Sequence, residues 1–181
     1  MGKNKIEFLH TNRHKGIGGS DAGKIMQGDW YNLWLLKKQL IEPDDLSDIL
    51  PVQIGTVTEE LNLKWLEKTI GVDVTPYPEA YIKKDFMIAH YDGWVETDNA
   101  LVECKHTNHF NSMDIIIKRY YAQVQHYLMV GNFNFAYVCA IFGNNRWDYR
   151  KVNNDLDYQD NLYKQEKLFW DCVVNNIEPQ Q

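Results

Sequence analysis

The residues in this sequence that are best suited to chemistry are two carboxylates and a lysine within residues 92–105. Asp92 comes first, and Glu103 and Lys105 follow with one residue between them. Two carboxylates supply the hard oxygen ligands that suit Mg²⁺ or Mn²⁺, which keep several waters and accept phosphate as a further ligand. A neighbouring ammonium group can orient or activate a metal-bound water for attack on phosphorus. The segment is therefore a candidate site for metal-dependent phosphodiester cleavage.

The same segment has the pattern of a β-hairpin. Valines flank a turn-like sequence at residues 97–99, which predicts two strands joined by a turn. Side chains alternate along a strand, so Glu103 and Lys105 share one face while Cys104 points the other way, into a core. We expect Asp92 to end the preceding strand, so that carboxylates from two strands meet. An exposed hairpin with its charges in solvent is the alternative.

A helix predicted from about residue 52 or 56 to residue 70, and ended by Gly71, offers a third carboxylate. Glu59 stands at the head of an apolar face that continues through Leu63 and Leu66. An unpaired buried carboxylate is costly, which makes Glu59 a candidate metal ligand or a partner for metal-bound water. A partly exposed glutamate favoured by the helix dipole would fit equally well.

A second helix is predicted over residues 114–130. Gln123 and Tyr127 share one face of it, and the other members of that face are aromatic or aliphatic. A glutamine in such a face needs hydrogen-bond partners, which a bound phosphate or a metal-site carboxylate would provide. A glutamine that is hydrogen-bonded within the core is the alternative.

A basic turn leads into a glycine-rich loop near the start of the chain, over residues 10–26. Ser20 is predicted as the N-cap of a helix that begins near Asp21. Free backbone N–H groups at a helix start, together with Arg13, would suit a phosphate. A capped helix after a glycine turn, without any ligand, explains the pattern as well.

Two further motifs resemble known sites only in part. Residues 18–24 fit G-x-x-x-x-G-K, but Ile25 replaces the Ser or Thr that a P-loop needs, and no strand is predicted before the loop. We therefore expect no ATP site. His106 and His109 form an H-x-x-H pair without a HExxH context or nearby cysteines, which makes a zinc hydrolase a distant alternative.

Length and composition predict one α/β domain. The 181 residues are 44% hydrophobic and 13% aromatic, which argues against disorder. We expect a single domain over residues 1–181, with a core at about 13–152 and a closing helix at about 156–177. The three cysteines lack metal-site spacing and are expected to be reduced thiols in a cytoplasmic protein. No membrane span or secretory signal is predicted.

The formal net charge of −6 counts against a protein that wraps nucleic acid with a generally basic surface. It does not exclude a nuclease, because metal-binding carboxylates add negative charge. A local basic patch would have to come mainly from Arg13, His14, Lys15, Lys105, Lys118 and Arg119.

In their order along the chain, these motifs resemble the YqaJ-like viral recombinase family, which comprises lambda-exonuclease-type members of the PD-(D/E)xK nuclease superfamily. The resemblance covers about residues 13–140. One departure is His90-Tyr91-Asp92-Gly93, where the family often has Ser-Pro-Asp-Gly. The motifs are Arg13 with Gly16-Ile17-Gly18-Gly19-Ser20-Asp21-Ala22, Gly55-x-x-x-Glu59, Asp92-Gly93, Glu103-Cys104-Lys105 and Ala122-Gln123-Val124-Gln125-His126-Tyr127.

The resemblance implies a restriction-endonuclease-like core, a central mixed β-sheet flanked by helices, and a metal site. Asp92 and Glu103 would bind Mg²⁺, for which Mn²⁺ can substitute, with help from the main-chain carbonyl of Cys104. Lys105 would position the attacking water, and Glu59 would support the metal or its waters.

The resemblance also implies how the substrate is held and what is made from it. Gln123 and Tyr127 would lie beside the active site, and Arg13 and Ser20 would hold a terminal 5′-phosphate. The expected activity removes one strand of linear duplex DNA from its 5′ end and leaves a 3′ overhang for a single-strand annealing protein. A homotrimeric ring is implied as well. The alternatives are an endonuclease, a partner-dependent nuclease and a non-cleaving DNA-end binding module.

Overall fold

The computed structural model describes residues 13–76 and 81–180, and these contain five α-helices and eight β-strands. After a short 3₁₀ helix (Arg13–Lys15), the α-helices are α1 (Gly19–Gln27), α2 (Trp30–Lys37), α3 (Leu50–Ile70), α4 (Met113–Gly131) and α5 (Leu156–Val174). The strands are β1 (Ile17–Gly18), β2 (Thr75–Pro76), β3 (Ile82–Lys84), β4 (Met87–Ala89), β5 (Gly93–Val95), β6 (Ala100–Thr107), β7 (Phe135–Phe142) and β8 (Arg146–Asn153). Within these ranges, none of the helices combines the length and apolar character that a membrane crossing requires.

A five-stranded sheet forms the centre of the molecule, in the order β2-β5-β6-β7-β8. β6 and β7 are parallel, and helix α4 connects them, whereas the other neighbouring strands are antiparallel. A smaller sheet has the order β1-β4-β3. The predicted α/β fold with a central mixed sheet flanked by helices is confirmed.

The two faces of β6 pack against different helices. Leu101 belongs to a buried cluster that includes Ile116 of α4, whereas Val102 packs in a cluster with Leu63 and Leu66 of α3. The period of two along β6 therefore separates a face toward α4 from a face toward α3. This is the predicted alternation, and it puts Glu103 and Lys105 on the same face as Leu101.

Helix boundaries agree with the sequence pattern only in part. Helix α3 begins at Leu50, earlier than predicted, with Pro51 in its first turn, and ends before Gly71, whose φ is 72°. The predicted N-cap role of Ser20 is wrong, because α1 begins at Gly19 and Gly18 is its N-cap. The Asp21 carboxylate accepts a hydrogen bond from the Gly18 N–H at 2.9 Å and so stabilises the earlier start.

Strand positions before the hairpin also differ from the prediction. Asp92 does not end a strand, since β4 stops at Ala89 and Asp92 directly precedes β5. The glycine-rich segment contains a two-residue strand, β1, which pairs with β4 through Ile17 and Met87. A strand of two residues is too short to show a pattern in the sequence. Its partner, β4, lies far along the chain.

Candidate active site

The two strands of the hairpin differ in length, and Asp92 lies directly before the shorter one. β5 has three residues and β6 has eight, with Gly93 opposite Val102. The Asp92 N–H donates to the Val102 carbonyl at 3.1 Å, and its Oδ2 accepts from the Cys104 N–H at 2.7 Å. Asp92 therefore continues the hydrogen bonding to β6 beyond the first residue of β5. Because the N–H and C=O of a strand residue point to one edge, the Cys104 carbonyl also faces the Asp92 side.

Glu103 is the most buried charged group of the site and has partners on two elements. Its side chain is 3% exposed, and its Oε1 lies 2.5 Å from Lys105 Nζ. The Gln123 amide, from α4, donates to the same oxygen at 2.7 Å and lies 3.3 Å from the Tyr127 hydroxyl. The structure thus brings the predicted strand and helix residues together in one hydrogen-bonded group.

Lys105 is held as an ammonium group. Its side chain is 18% exposed, and Nζ lies 4.3 Å from the centre of the Tyr120 ring, a cation–π contact. Burial by itself lowers the pKa of Lys105, but the carboxylates of Glu103 and Asp92 outweigh that effect and raise the pKa above its usual value. Lys105 is therefore protonated at neutral pH and serves as a fixed positive charge.

The charges of Asp92 and Glu103 act together on neighbouring groups. Burial raises the pKa of the Tyr127 hydroxyl well above its usual value, and Glu103 and Asp92 raise it further. Burial likewise raises the pKa of the Cys104 thiol, with Asp92 as the next cause. Both groups are neutral at physiological pH, so Tyr127 is available as a hydrogen-bond donor.

The oxygen donors of the site suit a hard divalent cation. Asp92 and Glu103 supply carboxylates, and the strand geometry adds the Cys104 carbonyl. Glu59 is half-buried on α3 and contributes to the raised pKa of Cys104. Across residues 13–76 and 81–180, no three His, Cys, Asp or Glu side chains are grouped so that they could hold a metal ion. Metal ligation by Glu59, directly or through water, stays a prediction.

Asn62 of helix α3 contacts the backbone of the site, although the sequence pattern did not single it out. This α3 residue is 1% exposed, and its amide nitrogen donates to the Lys105 carbonyl at 3.0 Å. Its oxygen accepts from the Trp147 indole N–H at 2.8 Å. The one signal in the sequence was its place three residues after Glu59 and four before Leu66, on the packed face.

His106 uses both ring nitrogens within the protein. Its Nε2–H donates to the Gly143 carbonyl at 2.9 Å, and Nδ1 lies 3.2 Å from the Thr58 hydroxyl. His109 is exposed, and its ring contacts that of Phe110 in a tilted arrangement. The two histidines of the H-x-x-H pair therefore have different surroundings.

The polar residues of the segment 122–127 face two ways. Gln123 and Tyr127 point to the site, whereas Gln125 and His126 are fully buried on the other side of α4. Gln125 donates to the Asn153 carbonyl at 2.9 Å. The ring nitrogens of His126 lie 2.7 Å from a Glu166 oxygen and 3.0 Å from the Ile88 carbonyl. These contacts anchor α4 to α5 and to β4.

The start of α1 packs directly on the site residues of α4. A Cβ on Gly19 would lie 2.5 Å from a Tyr127 ring atom and 2.7 Å from Gln123, so only glycine fits there. Ser20 follows and is exposed, beside this contact. The predicted phosphate-binding role of Ser20 therefore concerns a surface next to the site. The side chain of Arg13 lies outside the described part of the chain.

A buried ion pair fixes the loop that precedes α1. Lys37 Nζ lies 2.5 Å from Asp21 Oδ2 and donates to the Gly16 carbonyl at 2.7 Å. Because Asp21 also accepts from the Gly18 N–H, that N–H already has a partner within the protein. The loop is thus held by side chains from α1 and α2.

Comparisons with known proteins agree with the fold and the motifs. The model of the YqaJ-like viral recombinase domain matches residues 8–134. An uncharacterized protein YqaJ of Bacillus subtilis (strain 168) is 30% identical over 178 residues, which cover 90% of this chain and 54% of that protein. The chain therefore spans about half the length of that curated relative.

Two solved exonucleases share the fold. An alkaline exonuclease (LHK-Exo) from Laribacter hongkongensis, also solved in complex with dAMP, has a TM-score of 0.77 at 16% identity, over 95% of this chain and 94% of that one. A phage related exonuclease from Haemophilus somnus 129PT has a TM-score of 0.72 at 11% identity, over 90% and 96%. The central mixed sheet with flanking helices is thus the PD-(D/E)xK fold of alkaline exonucleases.

Proposed function

Because the chain belongs to the YqaJ-like viral recombinase domain family, we propose that it is a metal-dependent DNA exonuclease. It removes one strand of linear duplex DNA from the 5′ end and leaves a 3′ single-stranded overhang. The observation that carries this proposal is a group of four polar side chains. Glu103 and Lys105 lie on β6, Asp92 precedes β5, and Gln123 lies on α4. The shared fold with two exonucleases supports it.

The proposed cofactor is Mg²⁺, with Mn²⁺ as a substitute. Asp92, Glu103 and the Cys104 carbonyl would hold it, and Glu59 would accept hydrogen bonds from its waters. A bound divalent ion of this type lowers the pKa of water and offsets charge on phosphoryl oxygens. Neutral nitrogen or thiolate ligands are not needed for a cation of this class.

The protein's own groups position the reactants. Lys105 keeps its positive charge, and its contacts with Glu103 and Tyr120 hold the ammonium in one place. It would orient the attacking water and stabilise charge that develops on the phosphoryl group. Gln123 fixes the Glu103 carboxylate by its hydrogen bond, which leaves fewer orientations for that ligand.

The 5′-end preference would come from Arg13 and Ser20. Ser20 is exposed at the start of α1, beside the Gly19 contact with Tyr127, and a phosphate held there would lie next to the site. A single-strand annealing protein that receives the overhang, and a homotrimeric ring around the DNA, complete the proposal. The family resemblance supports these two elements.

The test is digestion of linear duplex DNA with a label at one chosen end. We expect Mg²⁺-dependent release of nucleotides from the 5′-phosphorylated strand, with the complementary strand left intact, and no digestion after chelation. Digestion that begins at the 3′ end would contradict the proposed polarity.

A closed circular duplex separates the rival functions. An exonuclease leaves it intact, whereas an endonuclease linearises it. A non-cleaving DNA-end binding module would bind the linear duplex and give no product with either Mg²⁺ or Mn²⁺ at any concentration. That last result would overturn the enzymatic proposal as a whole.

A further inference from the structure

Phe110 is an exposed aromatic residue close to the candidate active site. It lies in the loop between β6 and α4, and 83% of the residue is exposed. Its ring contacts that of His109, with the ring centres 3.8 Å apart and the ring planes tilted by 38°. Phe110 comes five residues after Lys105 in the sequence, so the two Cα atoms are at most about 18 Å apart. A DNA strand bound at the site could therefore reach the aromatic pair within a few nucleotides.

The loop that presents Phe110 is fixed by hydrogen bonds. Arg146, from β8, donates to the His109 carbonyl at 3.3 Å and to the Asn111 carbonyl at 2.5 Å. The Phe110 N–H donates to the Asn108 side chain at 3.1 Å. These hydrogen bonds hold the loop, and burial against its own protein does not account for the position of the Phe110 ring.

The charge of the chain is unevenly distributed along the sequence, and the stretch that contains this loop is on balance basic. Residues 104–153 contain six Lys or Arg and two Asp or Glu, although the whole chain has a net charge of −6. Lys118 and Arg119 are exposed on α4, immediately before Tyr120, which contacts Lys105. This part of the chain therefore has the charge that a phosphate backbone requires.

We propose that Phe110 and His109 form a stacking platform for an unpaired base of single-stranded DNA, with Lys118 and Arg119 contacting its phosphates. Naming DNA as the ligand rests on the proposed function. An exposed aromatic ring in a basic stretch of the chain fits a nucleobase, because every base has a face that can stack on an aromatic side chain. Bases inside a duplex are already stacked, so the platform selects the single-stranded part of a substrate or product.

Fluorescence of 2-aminopurine tests the stacking directly. Single-stranded oligonucleotides carrying this base at successive positions are titrated with the protein in the presence of a chelator, which prevents metal-dependent cleavage. Stacking on Phe110 quenches the probe at one position. In Phe110→Ala we expect the quenching to disappear and single-strand affinity to fall by about 5- to 150-fold, while Phe110→Trp retains both. Affinity for a blunt duplex stays unchanged.

Leu168→Ala is the matched control, since Leu168 is an exposed apolar residue on α5. The platform is refuted if the parent does not bind the single strand, or if Phe110→Ala quenches the probe and binds like the parent. Phe110-dependent quenching in a protein that digests no DNA would refute the exonuclease and leave the platform standing. If the protein digests DNA but its Phe110→Ala variant quenches the probe and binds the single strand like the parent, the platform is refuted and the exonuclease stands.

Discussion

Gln123 donates its side-chain amide to Glu103 at 2.7 Å, and this hydrogen bond joins helix α4 to strand β6 inside the candidate active site. The same Glu103 oxygen contacts Lys105. The position of the helix and the position of the carboxylate therefore depend on each other. Residues that anchor α4 elsewhere contribute to the geometry of the site, even when they do not reach it.

Lys105→Ala and Glu103→Gln should each abolish cleavage and leave the fold intact. Lys105 supplies the fixed charge, and Glu103 is the proposed metal ligand that receives both hydrogen bonds. We expect the digestion rate to fall by at least about 100-fold, with an unchanged circular dichroism spectrum. Digestion of linear duplex by either variant at the parent rate would show that the site has been wrongly assigned.

Gly19→Ala should damage both stability and activity, because its methyl group would overlap Tyr127 and Gln123. Overpacking of this kind costs about 1–3 kcal/mol in the free energy of unfolding. Gly23→Ala is the control in the same helix, where a Cβ meets no atom within 4 Å. That change should stabilise α1 by about 0.5–1 kcal/mol. Equal urea midpoints for the two variants would contradict the close contact.

Asn62→Ala should reduce kcat by its effect on the Lys105 backbone. The change leaves the Lys105 carbonyl and the Trp147 N–H without their side-chain partner, which costs about 1–3 kcal/mol of stability. Trp147→Phe removes one of these hydrogen bonds and keeps the other. We expect kcat near the parent value in Trp147→Phe and a lower kcat in Asn62→Ala. A purely structural role predicts that both variants lose activity in proportion to stability.

His126 should make stability depend on pH above neutrality. Burial by itself lowers the pKa of His126, but Glu166 and the Ile88 carbonyl outweigh it, with Asp21 adding to them, so the pKa in the folded protein is raised. Below the usual histidine pKa of about 6.5 the ring is protonated in both states, and the contribution is fully present. It is lost as pH rises through the folded pKa.

Urea unfolding between about pH 6.5 and 9.5 measures this dependence. The free energy of unfolding of the parent should fall as pH rises, and Glu166→Gln should flatten the curve, because it removes the charge that holds the proton on His126. Identical slopes in the parent and in the variant would exclude the pair as the cause.

Arg13→Ala and Ser20→Ala should selectively weaken the preference for 5′-phosphorylated ends. Each variant loses one partner of the terminal phosphate, whereas the groups at the candidate metal site are unchanged. Rates are compared on duplexes that differ only in a 5′-phosphate or a 5′-hydroxyl. If the parent digests both ends equally, neither residue has the proposed role.

Features that depend on neighbouring residues could be predicted from the sequence. The alternation that puts Glu103 and Lys105 on one face follows from strand geometry alone, and the structure has it. Helical spacing likewise predicted the shared face of Gln123 and Tyr127. What each of these residues does in a reaction stays a prediction.

Features that depend on distant partners could not be predicted. Asn62 and Lys105 are 43 positions apart, and Asn62 and Trp147 are 85 apart. Gly18 replaces Ser20 as the N-cap because Asp21, paired with Lys37 of another helix, takes the Gly18 N–H. For Asn62 a polar contact across the fold decided the local structure, whereas the N-cap depends on a contact over three residues that is fixed by Lys37 from another helix.

The hairpin turn joins the two strands of the active site although it contributes no reactive group. Residues 96–99 separate the two strands, and Asn99, with a φ of 47°, closes the turn by donating to the Glu96 carbonyl at 3.1 Å. Side chains in strands alternate, so a shift of β6 by one residue in the sheet would turn Glu103 and Lys105 toward α3 and away from Gln123. The pairing of β6 with β5 and β7 opposes such a shift, so the register of this strand is as much a requirement for the chemistry as the identity of the carboxylates.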